Sequence, residues 1–222
     1  MVASRSLSAA AVFAAFLLTS AVPARADDCV LIDDFTKGNV GEFPPDWKPR
    51  KDSGRGVYSI QEDSGKRFLH ASSRGLGIQA ARQYEWDLAA YPVLAWSWRP
   101  VEFPKSADER NAKTNDSALS VYAVFPNNAF SVKTMKYIWS AVVPVGTNLT
   151  SSGGLTQVLV RRSGTSGRNE WTDERVNVLD DYRRYFGATD TPKPAGIAVL
   201  TDADDTNTSA QGDYANFRVC KP

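Results

Sequence analysis

Only two cysteines occur in the chain, Cys29 and Cys220, and each sits on a strand-like segment close to one end. Cys29 opens CVLIDDF, and Cys220 closes GIAVLTDADDTNTSAQGDYANFRVC. If the two face each other on antiparallel strands, the residue numbers of opposed pairs sum to a constant. Asp33 then falls opposite Asn216 and Phe35 opposite Tyr214. A Cys29–Cys220 disulfide would close nearly the whole chain, which the chain-entropy model values at about 4 to 5 kcal/mol. The two ends would then complete one sheet.

The start of the chain supports that pairing. Arg5, an apolar segment from Leu7 to Leu18 and the small-residue pattern Ala24-Arg25-Ala26 form a secretory signal peptide over residues 1–26, cut before Asp27. The apolar segment is short for a membrane span, and no later segment is apolar enough to be one. The expected location is periplasmic or secreted, an oxidising setting that favours a disulfide over two free thiols. Ala26-Asp27-Asp28 does not resemble a lipid-attachment box ahead of Cys29. The remainder, 27–222, suits a single domain with a full-sized core, and a monomer is expected. A formal net charge of +1 shows no footprint for nucleic acid or anionic lipid.

Strand-like segments recur near 30–35, 56–61, 68–72, 78–82, 93–99, 119–125, 136–143, 156–161, 196–201 and 214–219. They are rich in β-branched and aromatic residues and separated by Gly, Pro, Asn, Asp and Ser. Many short strands without βαβ alternation predict an all-β antiparallel sandwich of the jelly-roll kind. One late connection breaks the pattern. NVLDDYRRYFG offers Asn177 as N-cap, Asp180 and Asp181 in a first turn, Arg183 and Arg184 in a last turn, and Gly187 as a left-handed terminator, so it predicts one short helix. The polar stretches 103–117 and 163–174 are expected to leave the sandwich as mobile loops, where sites in such folds usually lie.

The chemistry-bearing residues are few. His70 is the only histidine, which with two paired cysteines excludes a Cys-His nucleophile and argues against a zinc site. No GxSxG, HExxH or phosphate-binding glycine loop is present. Aromatics are plentiful: in LAWSWR, Leu94, Trp96 and Trp98 point one way while Ala95, Ser97 and Arg99 point the other. Tyr137 and Trp139 likewise share a face. Amphipathic aromatic faces suit sugar rings, whose C–H faces stack while polar groups take the hydroxyls. The acidic loop DADDTN puts Asp202, Asp204 and Thr206 at every second residue, with Asp213 beyond, so hard oxygen donors could converge on Ca²⁺. Asp202, Asp204 and Asp213 are the candidate ligands, with Asp33 or Asp34 brought near by terminal pairing. The ordinary alternative is a solvated polar turn.

FPPDWKPR, LAWSWRP, NDSALSVYAVF, KYIWS, ERVNVLDDYRRYFG and AVLTDADDTNTSAQGDYANF together resemble a family of exported bacterial proteins catalogued only as a domain of unknown function. The resemblance covers most of the chain after the leader. Here Arg175 is separated from Asn177 by Val176, and Asp205 stands where that family usually has Asn. The resemblance implies a jelly roll like non-catalytic carbohydrate-binding modules, with no established activity.

Three functions compete. A glycan or other small polar ligand would be bound by Trp98, Arg99, Tyr122, Trp139, Arg175 and Asp202. A glycoside hydrolase or polysaccharide lyase would draw two carboxylates from Asp116, Glu174, Asp181, Asp202 and Asp204. An envelope interaction module would present an aromatic face to another protein. The residues favour binding over catalysis, and Arg99 and Arg175 are expected to share the polar site.

Overall fold

The computed structural model describes residues 28–222, so the signal peptide and its cleavage point lie outside the described residues. The strands are β1 (Cys29–Asp33), β2 (Lys48–Pro49), β3 (Tyr58–Asp63), β4 (Lys66–Arg74), β5 (Ala80–Gln83), β6 (Val93–Glu102), β7 (Leu119–Asn128), β8 (Ser131–Ser140), β9 (Asn148–Ser151), β10 (Thr156–Ser163), β11 (Thr172–Asn177), β12 (Gly196–Leu200) and β13 (Ser209–Cys220). A single α-helix among the described residues, α1 (Val178–Phe186), lies between β11 and β12. The strands form two facing sheets, a β-sandwich of the jelly-roll kind. In the first sheet the order is β11-β6-β13-β4-β3, with β1 also on β13; in the second it is β2-β5-β12-β7-β8-β10-β9.

Alternation along each strand builds the core. In β6, Leu94, Trp96 and Trp98 turn inward; in β8, Met135, Tyr137 and Trp139 do the same from the opposite sheet. The two sets meet ring against ring, Trp96 with Tyr137 and Trp98 with Trp139, each at 5.8 Å between centroids. Trp96 and Trp98 meet each other edge-on at 5.1 Å. Such pairs add about 0.5 to 1.5 kcal/mol beyond the area they bury. Their cost is polar, because both indole N–H groups are buried without an acceptor. Helix α1 forms as its caps predict: Asn177 accepts from the Asp180 amide at 3.1 Å, and Gly187 adopts φ 63°. Its buried Tyr182 packs on Phe125 at 4.7 Å, closing one end of the core.

Cys29 and Cys220 are joined across β1 and β13, in register with each other. The constant-sum pairing holds as far as Leu31 opposite Arg218, then fails by one residue. A bulge puts Asp33 opposite Phe217 rather than Asn216, and Phe35 leaves the ladder at φ 60°. The buried Asp33 carboxylate explains the departure: it accepts from the Phe35 amide, from Trp47 Nε1 at 2.8 Å and from Arg82, so it fastens the end of β1 to the second sheet.

Pairing is antiparallel except between β8 and β10, which run parallel because the chain visits the edge as β9 before returning. Three strands escape the sequence pattern: β2 and β9 are short, and β11, TDERVN, carries alternating charge at a sheet edge where solvent meets one face. The connection at 103–118 is not a free loop. Glu109 is buried and accepts from Ser117 at 2.9 Å and from Ser140 at 2.6 Å, holding the connection against the second sheet.

The disulfide spans 191 residues of sequence, so its removal frees the denatured chain more than any local cross-link would. Replacing both cysteines by serine is expected to cost about 4 to 5 kcal/mol, which lowers the thermal midpoint by about 8 to 20 °C for a chain of this size. Melting curves of the oxidised protein and the double variant check this. Coincident curves would show that the bond adds nothing.

Candidate functional site

The outer face of the first sheet carries a polar row dictated by register. Ser59 pairs with His70, His70 with Asp213, and Asp213 with Arg99, across β3, β4, β13 and β6. Asp213 is only 1% exposed. His70 Nδ1 donates to its Oδ1 at 2.6 Å, and Arg99 Nε donates to its Oδ2 at 2.7 Å. A buried carboxylate is tolerable only when its oxygens are taken up in this way. The anchored guanidinium of Arg99 then lies over two rings, Phe68 at 5.1 Å and Trp171 at 4.7 Å, while those rings meet edge-on at 5.5 Å. Arg99 also comes within 3.9 Å of Asp63. Trp171 is thus held from beneath and beside, yet 41% exposed.

Trp171 and Phe68 form part of the wall of a cleft of about 660 Å³. The hairpin between β3 and β4 supplies Asp63, Lys66 and Arg67. Its tip, Ser64-Gly65, has φ of 53° and 75°, the positive pair that a tight two-residue turn requires. On the other side, Ser97 donates to Asp173 at 2.6 Å, and Asn216 Nδ2 donates to Ser97 at 3.3 Å. Asn216 reaches that position because β13 bulges there and its backbone turns left-handed, φ 55°. Beyond β1, Asp34 accepts from the Thr36 hydroxyl at 2.6 Å, and this bond holds the Asp34 carboxyl below its ordinary value. Arg67 donates to the carbonyls of Thr36 and Gly38, keeping that segment against the hairpin. The cleft therefore offers acceptors, donors and one partly bare indole.

A second polar cluster lies at the rim where the β4–β5, β6–β7 and β12–β13 connections cross between the sheets. Asp116 accepts from the amides of Asp205 and Thr206 and from the Thr206 hydroxyl, so it folds the acidic loop around itself. One carboxylate oxygen from each of Asp116, Asp204 and Asp205 falls within 4.8 Å of the others. Asp202, 7% exposed, has a buried Oδ1 with no donor. Burial pushes its carboxyl up to about 8; Lys136 opposes the shift, and Asp204 and Asp116 add to it. Lys136 is itself buried, 5.6 Å from the Tyr122 ring centre on the outer face of the second sheet. Burial works against its charge, but Tyr122, Asp202 and Glu109 outweigh burial and leave its amine above the ordinary value.

The residues expected from sequence to share one site are dispersed. Trp98 is wholly buried, and Trp139 is buried beside it with its indole N–H on the Gly164 carbonyl at 3.0 Å. Both belong to the core because the inward phase of their strands is the aromatic one. Tyr122 lies on the second sheet's outer face and Asp202 at the rim. Arg175 is on the same face as Arg99 but at the disulfide end, with Nη1 3.7 Å from Cys220 Sγ. Of these residues, Arg99 alone packs against the cleft wall, over Phe68 and Trp171, without lining the cleft itself. Asp213 is committed to Arg99 and His70, away from Asp202 and Asp204, and Asp33 faces Trp47 and Arg82. Of the carboxylates weighed for catalysis, Asp116, Asp202 and Asp204 meet at the rim, while Glu174 is clasped by Arg161 and Arg162 and Asp181 meets the Tyr137 hydroxyl at 3.0 Å. Sequence reading passed over Asp63, Lys66, Asp173 and Asn216 as site residues; the turn-forming DSGK between two strand patterns was a visible sign of the first two alone.

Asp213 is the keystone of this face. Replacing it with alanine leaves His70 and Arg99 without their acceptor, an expected loss of about 2 to 3 kcal/mol, or about 4 to 12 °C in the thermal midpoint. A thermal melt of the Asp213→Ala variant measures it, and an unchanged midpoint would mean that the row contributes nothing.

Comparison with solved structures finds matches at low sequence identity and TM-scores below 0.5. One is a carbohydrate-binding module specific for non-crystalline cellulose, with TM-score 0.40, 12% identity, and 82% of this chain and 95% of that one covered. A family 12 endoglucanase from Trichoderma harzianum gives TM-score 0.43 and 10% identity, over 90% and 99% of the two chains. A family 11 xylanase from Neocallimastix patriciarum gives TM-score 0.41 and 15% identity, over 87% and 99%. No curated protein matches the sequence significantly. Residues 45–218 match the family model described as protein of unknown function (DUF3047), and the chain belongs to that family.

Proposed function

We propose that the protein binds a carbohydrate chain in the cleft on the outer face of its first sheet. The observation that carries this reading is Trp171, a partly exposed indole braced by Phe68 and Arg99 at the wall of a cleft otherwise lined by hydrogen-bonding side chains. Sugars demand that combination, because each ring has an apolar C–H face and a polar equator. A rigid platform loses little side-chain freedom on binding, so stacking energy is retained as affinity. Asp63, Asp173 and Asn216 suit hydroxyl donors, while Lys66 and Arg67 suit hydroxyl acceptors.

Binding fits better than glycoside hydrolysis. A general acid of that reaction needs a carboxyl raised towards neutrality. Asp34, in the cleft, is lowered instead, and the raised carboxyls of Asp181, Asp202 and Asp205 are not among the cleft residues.

Affinity electrophoresis in gels containing soluble β-glucan, mannan or xyloglucan tests the reading. At least one polysaccharide should retard the protein. Trp171→Ala should weaken that retention by about 10- to 30-fold, as truncating an aromatic anchor of about 1.4 to 2 kcal/mol does. Retention by none of them, or retention unaffected by the variant, would defeat the proposal. Release of reducing ends on prolonged incubation would turn the reading to catalysis.

A further inference from the structure

The rim cluster has a feature that a polar turn does not explain. Asp202 Oδ1 is buried, has no donor, and points into the same space as Asp204 Oδ1. A Cβ placed on Gly77, in the β4–β5 connection, would collide with both oxygens, so the backbone there is pared down to leave room beside them. Asp116 and Asp205 bring further oxygens against Asp204, within 4.8 Å of one another. Four carboxylates therefore gather at this rim. Two acceptors side by side without a proton or a cation between them repel.

We propose that this rim is a Ca²⁺ site formed by Asp202, Asp204, Asp205 and Asp116. All the donors are hard oxygens, and no nitrogen or sulfur ligand is among them, which selects an alkaline-earth ion over zinc or copper. The donors come from an irregular loop and a neighbouring connection rather than an octahedral cage, and Ca²⁺ accepts such uneven shells while Mg²⁺ does so poorly. Asp116 still has lone pairs free after its three hydrogen bonds, since a carboxylate offers about four acceptor positions. Asp213 has no part in the site; its oxygens serve Arg99 and His70. The ion would staple the β6–β7 connection to the β12–β13 loop, with the backbone of the β4–β5 connection against it.

Thermal unfolding of the disulfide-bonded protein, first stripped with a chelator and then titrated with CaCl₂ or MgCl₂, tests the site. At about 100 times its dissociation constant, Ca²⁺ should raise the midpoint by about 5 to 10 °C. Mg²⁺ at the same concentration should do much less. In Asp202→Asn the amide can donate to Asp204, so the stripped variant should remain folded and its response to Ca²⁺ should vanish. Asp205→Asn supplies a second, more exposed test of the same loss. Glu62→Gln, on the distant hairpin strand, should respond as the unaltered protein does. Isothermal titration should give one ion per chain. No shift with Ca²⁺, an equal shift with Mg²⁺, or a full Ca²⁺ response in both aspartate variants would overturn the assignment.

Discussion

Strand β13 is the member on which the rest of the sandwich hangs. Its first half pairs with β4 and its last residues with β1 along the same side, while β6 runs beside it almost throughout. The chain's last strand is thus flanked by its first, and the disulfide fixes the neighbours whose contact closes the longest loop in the molecule. Loop closure is what folding must supply entropically before such a contact returns any energy. A covalent bond at that point removes the cost from the unfolded side.

Alternation on β13 also decides where polar chemistry can go. Tyr214 and Phe217 face the core, so Asp213 faces out, and there it meets Arg99 and His70 in register. Arg99 is immobilised by that carboxylate and in turn braces Trp171, so a buried charge on one strand gives rigidity to an exposed ring on a loop beside another. The bulge at Asn216 breaks the phase once and aims an amide at Ser97, on the floor of the same cleft. At the rim the chain crosses between the sheets, no ladder absorbs the backbone, and carboxylates take over the organising role. Asp116 does this by accepting amide hydrogens from the loop that it faces.

The two polar clusters differ in how their charge is settled. On the sheet face, Asp213 has its partners within the protein and needs nothing further. At the rim, Asp202 Oδ1 is buried without a donor and shares its space with Asp204 Oδ1. A site satisfied internally positions other groups, whereas acceptors without donors leave a place open to one.

Much of the fold follows from local pattern. Period-two alternation with turn residues between marked ten of the thirteen strands, and terminal cysteines required the first and last strands to touch. Asn177 and Gly187 bounded the helix because caps act within a single turn. Local pattern could not say which strands would be neighbours, and that decided the sites. Trp98 and Arg99 adjoin in sequence yet face the core and the outer surface of the sheet; only packing against β8 determined which face was buried. Asp202 and Asp213 looked like members of one cluster, but a register with β4 and β6 took Asp213 away, and a connection from another part of the chain brought Asp116 in its place. Long-range pairing is set by the sum of many burial terms across the sandwich, so no short window of sequence holds it.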